Sequence, residues 1–317
     1  MAENSPDLSG KIGHVILGAT KAEGGTRTVS YRPGGESDLP FLGMKTGEGS
    51  IPLVAFEICD DPDYWSPIVT SYVGDLVKDT QEWAGAAEKQ YGADLVRLYL
   101  TSTKHRGFDD FPAITKVMDG VLSGTGLPLV IEGSNEPAID SEVFQRCGEA
   151  GQGERLLLGT AEAGRYRSVA AAAMAYNHSV VAQSPIDINL AKQLNILLRE
   201  IGVTPDHIMI DPYTGTLGYG FEYSYSVMER IRYSALKGDT DLAMPMITSA
   251  TDSLGVKEVR EADPAIRDDI AVAWEFYAAI SSAVAGASIV CVRHPKTVRL
   301  LKTAFSELWA GKMPGEV

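Results

Sequence analysis

The chain has 317 residues, 28 basic and 42 acidic, and a formal net charge of −14 at neutral pH. That balance excludes a broad phosphate-binding face, because nucleic-acid affinity rests on clustered Lys and Arg. No apolar run of about 18 residues is present to span a bilayer, and 44% hydrophobic with 22% charged residues argues against wholesale disorder. The opening MAENSPDLSGK lacks the apolar core of a secretory signal, so the expected location is the cytoplasm, with neither nucleic acid nor membrane as partner.

In chain order, 13–18 (GHVILG) and 26–31 (TRTVSY), separated by Lys21-Ala22-Glu23-Gly24-Gly25, predict a β-hairpin. Residues 1–50 are therefore assigned to an N-terminal extension and 51–317 to the main body, with the hairpin placed at the bottom of that body. A first strand at 53–58 (LVAFEI) precedes a helical stretch around Val73, Leu76, Val77, Trp83 and Tyr91. Strand two, 94–101 (DLVRLYLT), leads to a helix with Ile114, Val117, Met118, Val121 and Leu122 on one face. Strand three is 127–132 (LPLVIE), and Asp140 reads as the N-cap of the helix carrying Val143, Phe144 and Cys147. Strand four, 155–160 (RLLLGT), runs into an Ala-rich helix over 165–176. Strand five, 178–183 (HSVVAQ), is followed by a stripe of Leu190, Leu194, Leu197 and Ile201 that stops at Gly202. Strand six is 207–211 (HIMID), its helix marked by Val227, Met228, Ile231 and Leu236. Strand seven, 242–247 (LAMPMI), is unusual because Pro245 has no N–H to give a ladder. Strand eight, 288–292 (SIVCV), precedes a helix bearing Val298, Leu301, Phe305 and Leu308.

About eight β/α units in a row are what closes a barrel, and near-continuous apolar strands fit a parallel sheet covered by helices. A doubly wound open sheet is the alternative, but no Gly-rich dinucleotide turn follows the first strand. The expected fold is α/β, a TIM (β/α)8 barrel with an N-terminal β-hairpin extension.

In such a barrel function sits just past the strand ends. Those positions hold Glu57, Asp60, Thr101, Ser102, Thr103, Glu132, Ser134, Asn135, Thr160, Glu162, Gln183, Ser184, Asp187, Asp211, Tyr213, Thr214, Ser249, Thr251, Asp252, Arg293 and His294. Hydroxyls and amides dominate, suited to recognising neutral hydrogen-bonding ligands rather than driving proton transfer. For any single Ser, Thr or Asp, capping of the next helix is the competing explanation. No HExxH, GxSxG or P-loop occurs, and nothing marks a catalytic residue or a metal site. Of the five histidines, His178 and His207 are expected to be structural and His294 is the better site candidate. Cys59, Cys147 and Cys291 are too few and too scattered to build an iron–sulfur cluster of about four thiolates.

Ile210-Asp211-Pro212-Tyr213 followed by TGTLGYG resembles segments of pterin-binding barrels, in which strand-end Asp and Asn read the pterin edge. A turn shaped by Pro212 and the glycines would look the same. Over nearly the whole chain, 52–59 (PLVAFEIC), 93–103 (ADLVRLYLTST), 128–135 (PLVIEGSN), 211–223 (DPYTGTLGYGFEY) and 244–252 (MPMITSATD) make the sequence similar to a known family. That family is the small subunit of the corrinoid iron–sulfur protein of the acetyl-CoA (Wood–Ljungdahl) pathway, together with the delta subunit of the acetyl-CoA decarbonylase/synthase complex. The resemblance implies a barrel that pairs with a large subunit carrying the [4Fe–4S] cluster and covers cobalamin at their interface. It further implies a methyl group received from methyltetrahydrofolate through a methyltransferase and passed to acetyl-CoA synthase. No residue here looks like a catalyst, so an enzymatic role would rest on the complex. Asp187, Tyr213, Thr214, Ser249, Thr251, Asp252 and Arg293 are the expected cofactor contacts. The alternative is a pterin-dependent methyltransferase acting through its own barrel, with Asp187, Asn189 and Asp211 as pterin readers.

Overall fold

A computed structural model of the chain describes residues 8–42, 49–310 and 315, so most of the opening segment read above for a signal core lies outside the described residues. Eight strands form the centre: β1 (Leu53–Cys59), β2 (Leu95–Tyr99), β3 (Leu129–Glu132), β4 (Leu157–Ala161), β5 (Ser179–Gln183), β6 (Ile208–Asp211), β7 (Met246–Ser249) and β8 (Ala287–Val292). All pair in parallel in chain order, and β8 returns to β1 with Leu53 opposite Ile289, closing the predicted barrel. Around it run α1 (Pro67–Ser71), α2 (Thr80–Ala86), α3 (Phe111–Gly124), α4 (Pro137–Ala150), α5 (Tyr166–Tyr176), α6 (Ile188–Glu200), α7 (Phe221–Leu236), α8 (Lys257–Arg260), α9 (Arg267–Val284) and α10 (Pro295–Leu308).

Every residue of β1 is buried because both of its faces are covered. Val54, Phe56 and Ile58 point out into the helix layer, while Leu53 and Ala55 join the barrel interior with Leu95, Val130, Leu157, Val181, Met209 and Ile289. This two-sided burial is why the strands read as apolar runs instead of alternating ones.

Three local expectations change. The seventh strand begins after Pro245, whose carbonyl accepts the Ile210 N–H at 2.9 Å, so the ring withholds no ladder donor inside the strand. Asp140 does not cap α4, because Pro137 already occupies its first turn and Glu136 holds the N-cap position. Asp140 instead reaches back, accepting the N–H groups of Ser134 (2.7 Å) and Asn135 (2.8 Å) and pairing with buried Arg165 at 2.6 Å. The longest described helix, α9, was not anticipated between strands seven and eight.

The N-terminal ribbon is antiparallel, with Leu17 and Tyr31 exchanging two 2.9 Å backbone bonds and His14 bridging Gly34. Its backbone docks on segments that precede strands: Gly18 N–H to Arg155 O (3.1 Å), Thr28 N–H to Gly126 O (2.8 Å) and Gly13 N–H to Ala243 O (2.7 Å). That fixes it at the amino end of the barrel. Val15, Leu17 and Tyr31 then complete the interior cluster from below. Buried Arg27 clamps the ribbon, donating to Glu154 at 2.8 Å and to the carbonyls of Thr125 (2.7 Å) and Leu122 (2.8 Å). Leu17→Ala would open a cavity under a closed barrel that cannot collapse onto it, at a cost of about 3 kcal/mol. Urea unfolding measures this; a loss below about 1 kcal/mol would mean the ribbon is not part of the cooperative core.

Candidate functional site

At the opposite end of the barrel the inward positions stop being apolar. Two residues after Ala55, Leu95 and Val130 come Glu57, Arg97 and Glu132, which therefore share the next interior layer. Arg97 donates to Glu57 at 2.7 Å, to Glu132 at 3.0 Å and to the Ser249 hydroxyl at 3.0 Å. Arg293 reaches Glu57 from the end of β8, its Nε at 2.9 Å, and its guanidinium lies 4.0 Å from the centre of the Trp65 ring. On the far wall, Asp211 accepts from Gln183 Nε2 and from the Tyr213 N–H, both at 2.8 Å.

Burial sets the electrostatics of this layer. Desolvation pushes the Glu132 carboxyl above its ordinary range, with Arg97 pulling the other way. Asp211 is likewise raised by burial, against the pull of Gln183 and the Tyr213 amide. Burial opposes the charge of Arg97, but Glu57 and Glu132 more than reverse that, and its guanidinium stays firmly cationic. The result is a cross-linked polar floor beneath the mouth.

Above the floor a cavity of about 830 Å³ opens, bounded by the loops after β1, β2, β5, β6, β7 and β8. Its walls carry Tyr64, Trp65 and Tyr99 on one side, Tyr213, Thr214, Thr216 and Tyr219 on another, and Thr251, Asp252, Lys257, Arg260 and Arg293 on the third. Tyr64, Tyr213 and Tyr219 are half exposed, at 51, 47 and 53%. A second, more apolar cavity of about 710 Å³ lies beside it, along Leu190, Leu194 and Leu197 of α6, and Ile186 and Tyr213 line both. Tyr213 holds its place at φ 61°, a left-handed conformation costly for a side-chain-bearing residue. The Asp211 carboxylate secures that turn. In the glycine-rich loop behind it, a Cβ on Gly215 would meet the Gly220 carbonyl carbon at 3.0 Å, so a side chain there would press the facing backbone back by a few tenths of an ångström.

Of the expected contacts, Tyr213, Thr214, Thr251, Asp252 and Arg293 line the larger cavity. Ser249 lies just beneath, bonded to Arg97 and, at 2.9 Å, to Thr251. Asp187 is not brought in: it caps α6, accepting the N–H groups of Asn189 (2.7 Å) and Leu190 (3.2 Å). Of the other residues named as pterin readers, Asn189 is exposed on α6 and Asp211 is engaged with Gln183 within the floor. His178 is a satisfied core residue, its ring nitrogens on the Leu156 N–H (3.1 Å) and Gly148 O (2.9 Å). His294 also turns away, capping α10 through the Lys296 N–H at 3.1 Å and facing Asp268 at 2.9 Å. Sequence reasoning missed Arg97 in the floor and Tyr64, Trp65, Tyr99, Thr216, Tyr219, Lys257 and Arg260 in the walls.

Among the described residues no three His, Cys, Asp or Glu side chains gather as a metal-holding group. Cys59, Cys147 and Cys291 are buried on different elements, and burial raises all three thiols, Cys291 to about 12. Thiolate ligation of an iron–sulfur cluster does not fit them. Among the described residues no helix is long and apolar enough to cross a membrane.

Fold and mouth together define a (β/α)8 barrel built to present a polar, aromatic-rimmed opening. Its architecture matches solved dihydropteroate synthases. That from Xanthomonas albilineans superposes with a TM-score of 0.56 at 17% identity, over 82% of this chain and 94% of that one. The Coxiella burnetii protein gives 0.58 at 16%, over 83% and 95%. A family model, the CO dehydrogenase/acetyl-CoA synthase delta subunit, matches residues 34–292, and the chain belongs to that family. The acetyl-CoA decarbonylase/synthase complex subunit delta of Archaeoglobus fulgidus is 36% identical over 323 residues, covering 98% of this chain and 71% of the relative. The subunit delta of Methanopyrus kandleri is 31% identical over 313 residues, covering 97% and 78%.

Proposed function

We propose that this chain is the barrel subunit of a methyl-carrying complex of the acetyl-CoA pathway, and that its mouth covers a corrinoid held by a larger, iron–sulfur-bearing subunit. The observation that carries the reading is the mouth itself. It is broad, it mixes half-exposed aromatic rings with hydroxyls, and a rigid ionic floor keeps it from collapsing. A flat macrocycle with apolar faces and peripheral amides fits that donor set: rings pack against its face, while hydroxyl, carboxylate and guanidinium groups satisfy its edge. Tyr213, Thr214, Thr251, Asp252 and Arg293 would hold it, with Ser249 bracing Thr251 from below. When bound, the corrinoid supplies a cobalt centre that accepts and surrenders a methyl group. What this chain adds is orientation and cover, since the floor spends its charges on internal partners and Asp252 is the carboxylate among the cavity's lining residues. The methyl donor in this reading is methyltetrahydrofolate, through a separate methyltransferase, and the acceptor is acetyl-CoA synthase.

Anaerobic cobalamin loading tests it. The chain alone should stay colourless, and the heterodimer with its large subunit should retain corrinoid and iron. A colourless heterodimer after loading would overturn the proposal. Micromolar binding of methyltetrahydrofolate by the isolated chain would favour a pterin enzyme instead.

A further inference from the structure

Arg293 touches both the floor and the aromatic wall of the mouth, through Glu57 and Trp65. Its direction depends on the backbone where β8 turns into α10. There the outer helix α9 presents a fully buried carboxylate, Glu275, with 0% exposure. One oxygen accepts the Arg293 N–H at 2.6 Å and the other accepts the His294 N–H at 3.0 Å. These two amides have left the sheet ladder and precede the helix, so they would otherwise be buried donors without partners. A buried charge in an apolar helix layer is costly and persists only where such bonds compensate it.

We propose that Glu275 is the positioning residue of the mouth: its carboxylate, by holding two consecutive backbone amides, sets the angle at which Arg293 bridges Glu57 and Trp65. The pairing needs the ionised form, because both oxygens act as acceptors. A protonated carboxyl keeps one good acceptor and releases one amide. Burial raises this group to about 7, against the pull of the two amides, the Thr297 side chain and the Arg293 charge, so the clamp is complete above neutrality and relaxes below it. The charged and titratable groups coupled to it are Arg293 from the end of β8 and Tyr72 from the end of α1, while Asp268 and Lys296 act on the neighbouring His294 ring and Asp268 and Arg267 on Tyr72. His294 is itself held below its ordinary range by burial, which separates its titration from that of Glu275.

The inference stands whatever covers the mouth, and it is tested on the full chain without corrinoid. Its failure and that of the docking proposal are therefore distinguishable. Amide and Arg Nε resonances are followed by NMR from pH 5.5 to 8.5. The Arg293 and His294 amides should shift together with a midpoint near 7, and Arg293 Nε should follow them. Glu275→Gln should abolish that midpoint and displace Arg293 Nε at every pH, while Glu275→Asp should restore part of the titration. An Arg293 Nε resonance unmoved in Glu275→Gln would reduce Glu275 to a structural role and overturn the proposal. So would wild-type amides that do not titrate in this range, a result that needs no variant to fold.

Discussion

Replacing Arg97 by Leu should lower the unfolding free energy by about 3–5 kcal/mol, the range for stripping one partner from a buried ion pair. Leucine fills much of the volume, so the penalty is electrostatic: Glu57 and Glu132 have side chains only 1 and 8% exposed and would lose their shared cation. Glu57 keeps Arg293, whereas among the described residues Glu132 keeps no other ion partner, and Asp211 adds repulsion. The deficit should depend on pH with a definite sign. Burial already raises Glu132, and without Arg97 it rises further. Between the ordinary Glu range and that raised value the folded variant binds more protons than the unfolded chain, so its stability falls as pH increases. Urea unfolding should accordingly show a larger deficit at pH 8 than at pH 5.5, and Glu132→Gln in the Arg97→Leu background should recover part of it. A deficit equal at both pH values would mean lost packing, not stranded carboxylates, sets the cost.

The same layer shows what the sequence carries and what it conceals. Most strand positions were legible because both faces of the strands are largely buried, giving apolar runs; the seventh, expected over 242–247 and found at Met246–Ser249, was displaced by Pro245. Glu57 and Glu132 were visible as strand-end acids, but Arg97 sits mid-run in DLVRLYLT and was passed over. Its signal was parity: Leu95 and Arg97 share a face, as do Ala55 with Glu57 and Val130 with Glu132, so a cation lay at the same depth as two acids. Pairing register, which no single strand contains, is what turned that coincidence into a network. Tyr64 and Trp65 had no such signal, since a loop residue's reach across a barrel mouth depends on the path of the loop. Asp187 is placed by a signal that was legible. Its local pattern, an acid directly before an apolar helical stripe, is that of an N-cap, and capping outweighed its place near a strand end. The expected hairpin strands form only as isolated bridges at His14–Gly34 and Leu17–Tyr31, and the ribbon's fit beneath the barrel follows from backbone bonds to residues 98 to 230 positions away.

Tyr213→Gly should accelerate corrinoid loss from the assembled complex by about ten- to a hundredfold, as expected when a central aromatic contact worth about 1.4–2.8 kcal/mol is removed. Glycine is the informative replacement. At φ 61° the tyrosine backbone is strained and glycine is not, so the variant should be at least as stable as the native chain. The Asp211 carboxylate bonds the backbone N–H of this residue, a contact glycine preserves. Any loss of retention therefore reports the ring and not the turn. Thr251→Ala should act in the same direction but more weakly, because its hydroxyl is shared with Ser249. Asp187→Ala supplies the contrast: it removes a helix cap, costing about 1 kcal/mol of stability, and should leave retention unchanged. Corrinoid release is read from the visible spectrum after rapid gel filtration, alongside urea unfolding of each variant. Equal release from Tyr213→Gly and the native complex would remove the ring from the cofactor's surroundings, and faster release from Asp187→Ala would move the contact surface off the larger cavity and onto the start of α6.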